Sequence, residues 1–368
     1  MMKKNLALLS ALVFFLGACS SEISDKDVQK YESALNESIQ NGSIQREITS
    51  FDKNLKIDIK HFVCKADKAY VECNSPDFSV SSKGKIFFSG KNIKLRTNEI
   101  YAENNVSGLI SYKDYYTHLF SKHDKLETTL NLEGLKLNDE LIKNGIKNTN
   151  KDISDEKIAK LLQELIQDGY NFTSTFSITK NKDNFNYDNS FKINNNKENF
   201  ISVDFNLDFK EKNFETFDKL GIKFDTNKAS LNNNYDENFD KNFEILLDES
   251  ILKNFKLDIN LQTNNAFSPY INMAKASLEA LQNQSSNEEQ NLLYSQVLEL
   301  INDISKDPLY KLNLALGFKD IPVSDFINLK EESIAKITIN GKDFSAILKT
   351  INQLSQIGNG NPLNEIYP

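Results

Sequence analysis

The sequence predicts an α+β protein, β-dominated, built on one large curved antiparallel sheet with several amphipathic helices packed against it. Three observations carry this. Apolar residues alternate with Lys, Asn, Asp and Thr over many short runs, the pattern of an antiparallel sheet wet on one face. Helical stripes are few, whereas a parallel sheet needs a crossover helix between almost every pair of strands. No linker rich in Gly, Pro or Ser divides the chain, so residues 25–368 are expected to form a single curved-sheet domain with an N-terminal helix.

Ahead of that domain lies a segment of another kind. Lys3 and Lys4 precede an apolar run from Leu6, which ends in Leu16-Gly17-Ala18-Cys19. A basic start, a short apolar middle and small residues before a cut site describe a secretory signal, too short to cross a bilayer as a helix. The Cys adds the mark of a bacterial lipoprotein, because its thiolate is a nucleophile that a diacylglycerol can alkylate. Residues 1–18 are therefore expected to be removed as a lipoprotein signal peptide. Cys19 becomes the lipid-bearing first residue, and 19–24 an acylated polar tether.

Composition narrows the partners. With Lys3 and Lys4 removed, the chain carries a net charge of about −10. That disfavours nucleic acid, which needs a basic face, and electrostatic adsorption to anionic lipid heads. Membrane attachment must come from the acyl chains, each buried methylene contributing about 0.8 kcal/mol.

The elements follow in order. Val28, Tyr31, Leu35 and Ile39 recur at helical spacing, with Ser24 or Asp25 to cap the helix and Gly42 to stop it. From Leu55 the period becomes two, through Ile57, Ile59 and His61, and the run Ala69 to Cys73 is expected to pair back as a hairpin. Further strands are predicted at 85–88, 93–97, 126–132, 172–178, 185–193, 203–209, 255–261, 310–318 and 334–339. Helical stripes interrupt them at Ile158 to Ile166, Tyr235 to Leu247, Met273 to Leu281 and Leu292 to Ile304, the last two joined by a bend at Ser285-Ser286-Asn287. Such stripes are read as core-facing. Phe200–Ala229 and Leu309–Ile339 share a rhythm of strand, turn, short helix and strand.

Chemistry-bearing patterns are sparse. After the signal only Cys64 and Cys73 remain, and a lone close pair in an exported protein reads as a disulfide. Without a C-x-x-C spacing, and with His61 the only nearby soft ligand, a metal or redox site ranks well below it. His118 and His123 fit a surface loop or helix end better than a ligand pair. No H-E-x-x-H, G-x-S-x-G or P-loop pattern occurs, so no catalytic residue, cofactor or metal is expected. Glu103-Asn104-Asn105-Val106-Ser107 fits the extended bacterial N-glycosylation acceptor, with an acid two before Asn105 and Ser two after it. Asn36, Asn41, Asn171 and Asn283 have the shorter pattern but lack that acid.

Several segments together resemble a known family. Val28-Gln29-Lys30-Tyr31-Glu32, Phe62-Val63-Cys64-Lys65-Ala66-Asp67, Val71-Glu72-Cys73-Asn74-Ser75-Pro76, the stretch from Lys91 to Tyr101 and Lys113-Asp114-Tyr115-Tyr116-Thr117-His118-Leu119-Phe120 resemble the JlpA family of surface-exposed lipoprotein adhesins. The likeness is clearest from residue 16 to about residue 135. It implies an unclosed half β-barrel with an exposed apolar concavity, displayed outward from the outer membrane; the chain itself is expected to be a monomer. It implies adhesion to host epithelial cells through a host surface protein, a receptor of the Hsp90 class. The family's lipid-bearing Cys falls on Cys19, its paired Cys on Cys64 and Cys73, and a glycan acceptor on Asn105.

A half-open sheet leaves apolar surface partly covered, which marks a partner or lipid site. The alternative reading is therefore a periplasm-facing half-barrel lipoprotein that carries lipid or other hydrophobic molecules. An envelope structural protein without a ligand stands third.

Overall fold

The structure is a computed structural model that describes residues 23–40, 55–100, 108–138, 160, 169–182, 184–195, 199–210, 213–225, 230–233, 239–262, 267–306, 309–327 and 334–345. Cys19, Gly42, Asn105 and the apolar residues of the stripe Ile158 to Ile166 lie outside the described residues.

The chain opens on α1 (Asp25–Gln40), where Ser24 and Asp27 cap each other: the Asp27 amide donates to Ser24 Oγ at 3.3 Å, and Ser24 Oγ donates to Asp27 Oδ2 at 2.5 Å. Strands β1 (Leu55–Ile59), β2 (Val63–Asp67), β3 (Tyr70–Ser82) and β4 (Lys85–Thr97) follow. The expected hairpin partner of Ala69 to Cys73 was the Leu55 run; the structure pairs that segment with β2 instead, Cys64 opposite Cys73. At 13 residues β3 is long enough to take both partners end to end, β2 on its first half and β1 on Phe78–Ser82. The predicted strands at 85–88 and 93–97 are one strand, β4, bent by bulges. Gly90 permits this: a Cβ there would stand 2.4 Å from Cε1 of Phe78.

Next come β5 (Leu109–Ser111), α2 (Tyr112–Phe120), β6 (Lys125–Leu137), β7 (Tyr170–Asn181), β8 (Asn184–Asn194) and β9 (Phe200–Lys210). The rhythm expected from Phe200 appears as β9, α3 (Asn213–Lys219) and β10 (Ile222–Asp225), followed by β11 (Ser230–Asn233) and α4 (Phe239–Glu249). Then β12 (Ile251–Gln262) leads into a helical hairpin, α5 (Ser268–Gln284) and α6 (Glu288–Ile304). The chain returns through β13 (Ser305–Lys306), β14 (Leu309–Pro322), α7 (Val323–Ile327), β15 (Ile334–Ile339) and β16 (Lys342–Asp343).

Thirteen of these strands form one sheet in the order β1-β3-β4-β6-β7-β8-β9-β12-β14-β15-β16, with β2 attached to β3 and β13 to β14. Its pairings are antiparallel, and the order runs from one edge to the other without closing into a barrel. The three-stranded sheet β11-β10-β5 stands apart. No described helix is long and apolar enough to cross a membrane.

Candidate functional site

Register divides the main sheet into two chemically distinct faces, because successive side chains point to opposite sides. One rung of directly opposed residues runs Cys73, Leu95, Leu130, Ser174, Phe191, Val203, Leu257, Leu314, Ile339. The next rung continues the apolar face through Leu132, Phe172, Ile193, Ile201, Ile259 and Leu312. That face is sealed over the first strands and open over the later ones.

Sealing is done by three helices. Helix α1 buries Val28, Tyr31 and Ala34. It is pinned by Asn36, whose Nδ2 donates to the Phe62 carbonyl at 2.9 Å while its Oδ1 accepts from the Phe62 amide at 2.8 Å. Glu32 accepts from the Cys64 amide at 2.7 Å, so the helix also holds the edge strand that carries the disulfide. Helix α2 is capped by Ser111, which accepts from the Asp114 amide. It buries Tyr112, Tyr115, Tyr116, Leu119 and Phe120. Tyr116 lies parallel to Phe214 of α3 at 5.1 Å between ring centroids, and Tyr115 stacks on Phe224 at 4.2 Å. Phe185 and Phe209 of the sheet close the cluster against Phe214. Asp218 of α3 accepts from the Tyr112 amide at 2.5 Å.

One carboxyl is enclosed here. Glu99, 3% exposed, is close enough that its charge would act on Tyr31, Tyr112, Tyr115, Tyr116 and Tyr187. Thr128 Oγ1 donates to its Oε1 at 3.4 Å, and Thr97 Oγ1 bonds both Thr128 Oγ1 and the Glu99 amide. Burial pushes its pKa up to about 8, only partly offset by Thr128. The side chain is an uncharged acid at neutral pH. It is packed among Thr128 and these tyrosines, inside the layer that α1 and α2 form on the sheet.

Beyond β8 the same face is half-buried. Ile193 is 42% exposed and Ile201 41%, although they sit side by side on adjacent strands. Burial resumes at the far ends of β12 and β14, where Leu252 and Ile321 pair and Leu246 of α4 lies buried. The hairpin α5–α6 leaves Ile193 and Ile201 exposed, and α5 buries none of its residues. It is tied to the sheet through Lys342, which bonds Glu299 at 3.2 Å and Asp303 at 2.7 Å, and through Asn340, which donates to the Asp303 and Lys311 carbonyls.

The residues singled out in the sequence fall in different places. Cys64 and Cys73 form a disulfide across β2 and β3 with Cα atoms 4.0 Å apart. His118 lies in the last turn of α2, with its Nε2 3.0 Å from Lys122 Nζ. Cys19 and Asn105 lie outside the described residues. Sequence reasoning missed α2 and its tyrosines as a core element, and it missed Glu99. The only signal was Tyr112, Tyr115, Tyr116 and Leu119 at helical spacing, which tyrosine's polar hydroxyl disguises.

Among curated proteins none matches the chain. A family model described as JLPA, an adhesin from Campylobacter, matches residues 21–357. The chain belongs to that adhesin family.

Proposed function

From membership of the Campylobacter adhesin family we propose that this chain is an outer-membrane lipoprotein. In this reading acyl chains on Cys19 hold it, and it is displayed outward as a monomer that binds a protein receptor on host epithelial cells. The observation that carries the reading is the open apolar row: a sheet that buries Leu95, Phe176 and Ile178 on one face leaves Ile193 and Ile201 more than 40% exposed on the same face. Exposed contiguous apolar surface in a chain this acidic fits a protein partner. An Hsp90-class receptor is the candidate that the family resemblance supplies. Binding, rather than catalysis, is the role.

Soluble protein beginning at residue 20 should compete with bacteria for epithelial cells, and protease applied to intact cells should remove the native protein. The carrier reading draws on the same open face and predicts the reverse: a protein that survives shaving and does not compete. Intact mass of membrane-extracted protein should show acylation at Cys19 and one glycan at Asn105. Loss of membrane attachment in Cys19→Ala and of the glycan mass in Asn105→Gln would support those assignments, and unchanged variants would remove them.

A further inference from the structure

We propose that the opposite, polar face of the sheet is a carbohydrate-binding trough that takes a neutral oligosaccharide laid across the strands. This goes beyond the receptor reading, which uses the apolar face.

The trough is built by register. A cleft of about 380 Å³ is lined from five adjacent strands, by Glu127 of β6, Ser177 of β7, Asp188 of β8, Asn206 of β9 and Lys256 of β12, all of them polar-face positions. A second cleft of about 560 Å³ opens on the same face near the ends of β9, β12 and β14. Phe200, Asn260 and Asn313 line it from the sheet, and Asp303 and Ile304 of α6 line it from one side. Both volumes lie in the range of small-ligand sites. Five strands at about 4.8 Å spacing give roughly 19 Å from β6 to β12, room for a chain of several sugar units rather than one.

A merely solvated face would leave its small polar side chains wet. Here Ser177 is 4% exposed, Ser202 8% and Asn260 8%, so the walls already shield the floor. The polar groups are also held in place. Asn206 Nδ2 donates to Asp188 Oδ1 at 2.6 Å and to Asn186 Oδ1 at 3.0 Å, while Asn186 Nδ2 donates to Asp208 Oδ1 at 2.9 Å. Amides and carboxylates so fixed retain lone pairs for further bonds, and vicinal sugar hydroxyls are matched to such planar groups. Phe200, an aromatic ring among the polar side chains of the second cleft with Lys192 Nζ 5.0 Å from its centroid on one side, gives the C–H side of a pyranose a surface to lie on with its other side.

Charge selects the class of sugar. Lys125 is paired with Glu127 at 2.6 Å, Lys256 with Asp258 at 2.6 Å and Lys253 with Asp208 at 3.4 Å. These three lysines are paired and Asp188 and Asp204 line the first cleft beside them, so that cleft offers no net cationic field for a sulfated polyanion or a nucleic acid.

The test is a printed array of neutral, sialylated and sulfated mammalian oligosaccharides, probed with the purified chain beginning at residue 20. Ser190 of β8 and Asp204 of β9, paired across the strands, also line the first cleft. Binding to neutral structures that persists at high salt is expected, weakened at least about tenfold, or 1.4 kcal/mol, in Ser190→Tyr, which fills the trough, and in Asp204→Ala. Melting curves identify any variant that fails to fold, and the other then decides. Ile201→Ser, on the apolar face, should bind the array like wild type while failing to compete for cells, which separates this site from the receptor surface. Binding to no neutral oligosaccharide, binding to sulfated ones alone, or full binding by a folded Ser190→Tyr would overturn the proposal.

Discussion

The first and second halves of one apolar sheet face differ in what covers them. Under α1, α2 and α3 the face carries rings and sulfur, packs them against tyrosines and shields even a carboxyl. From β8 to β14, between the buried ends marked by Phe185 and Phe209 and by Leu252 and Ile321, the face is half-buried and leaves Ile193 and Ile201 in solvent. Strand content, pairing and alternation are alike on both sides. What differs is the covering layer, and covering is what turns an apolar face into core. The sealed half can hold the scaffold while the open half remains free to meet something else.

The largest difference should appear on deleting a ring from the sealed side. Tyr116 is fully buried between Tyr112, Tyr115 and Phe214. Tyr116→Ala is expected to cost about 3–5 kcal/mol in urea unfolding, the range for large aromatic truncations in a packed core. A loss near that of a surface change would mean that α2 is a detachable cover.

Glu99 sharpens the comparison through pH. Its folded pKa, about 8, lies above the ordinary 4.5. The folded form therefore binds the proton more tightly, so the stabilisation is whole below about pH 4.5 and is lost as pH rises through 8. Wild type should lose stability between pH 5 and 8 at up to about 1.4 kcal/mol per pH unit. Glu99→Gln, which keeps a neutral hydrogen-bonding side chain, should flatten that slope. Parallel curves for the two proteins would show that the carboxyl reaches water.

How far this asymmetry was legible in the sequence depends on the type of signal. The strands around Leu257, Leu314 and Ile337 were visible because period-two alternation is local, and so was the cysteine pair, nine positions apart. The helical hairpin was visible from its two stripes and the Ser285 bend. The seal was not. Its helix α2 is nine residues long with tyrosines on its buried side, and its lid function rests on contacts with Phe214 and Phe224, a hundred residues away. Glu99 is one acid among 52 Asp and Glu, and only its tertiary surroundings make it neutral. The pairing of Leu55–Ile59 was misplaced for a related reason: alternation marks a strand but does not choose its partner, and β3 had room for two.

The disulfide belongs to the sealed half as well. It ties β2 to β3 three residues from their turn, next to the Glu32 contact from α1. Replacing both Cys64 and Cys73 with Ser should cost roughly 2–3 kcal/mol by the loop-entropy account. Reductant should lower wild-type stability by the same amount and leave the double variant unmoved. An equal response to reductant in both would mean that the crosslink is absent in solution.

The smallest stability effect should come from the open side, where the functional one is largest. Ile201 is 41% exposed, opposite Ile193 on one neighbour and Ile259 on the other. Ile201→Ser removes little buried area, so unfolding should change by less than about 1 kcal/mol. If this row contacts the receptor, the same substitution should abolish competition for epithelial cells, because a hydroxyl would then be desolvated at the contact. The two readouts must separate for the comparison to stand. A destabilisation approaching that of Tyr116→Ala would mean that the row is core after all. Unimpaired competition by a stable Ile201→Ser would move the receptor contact off this face.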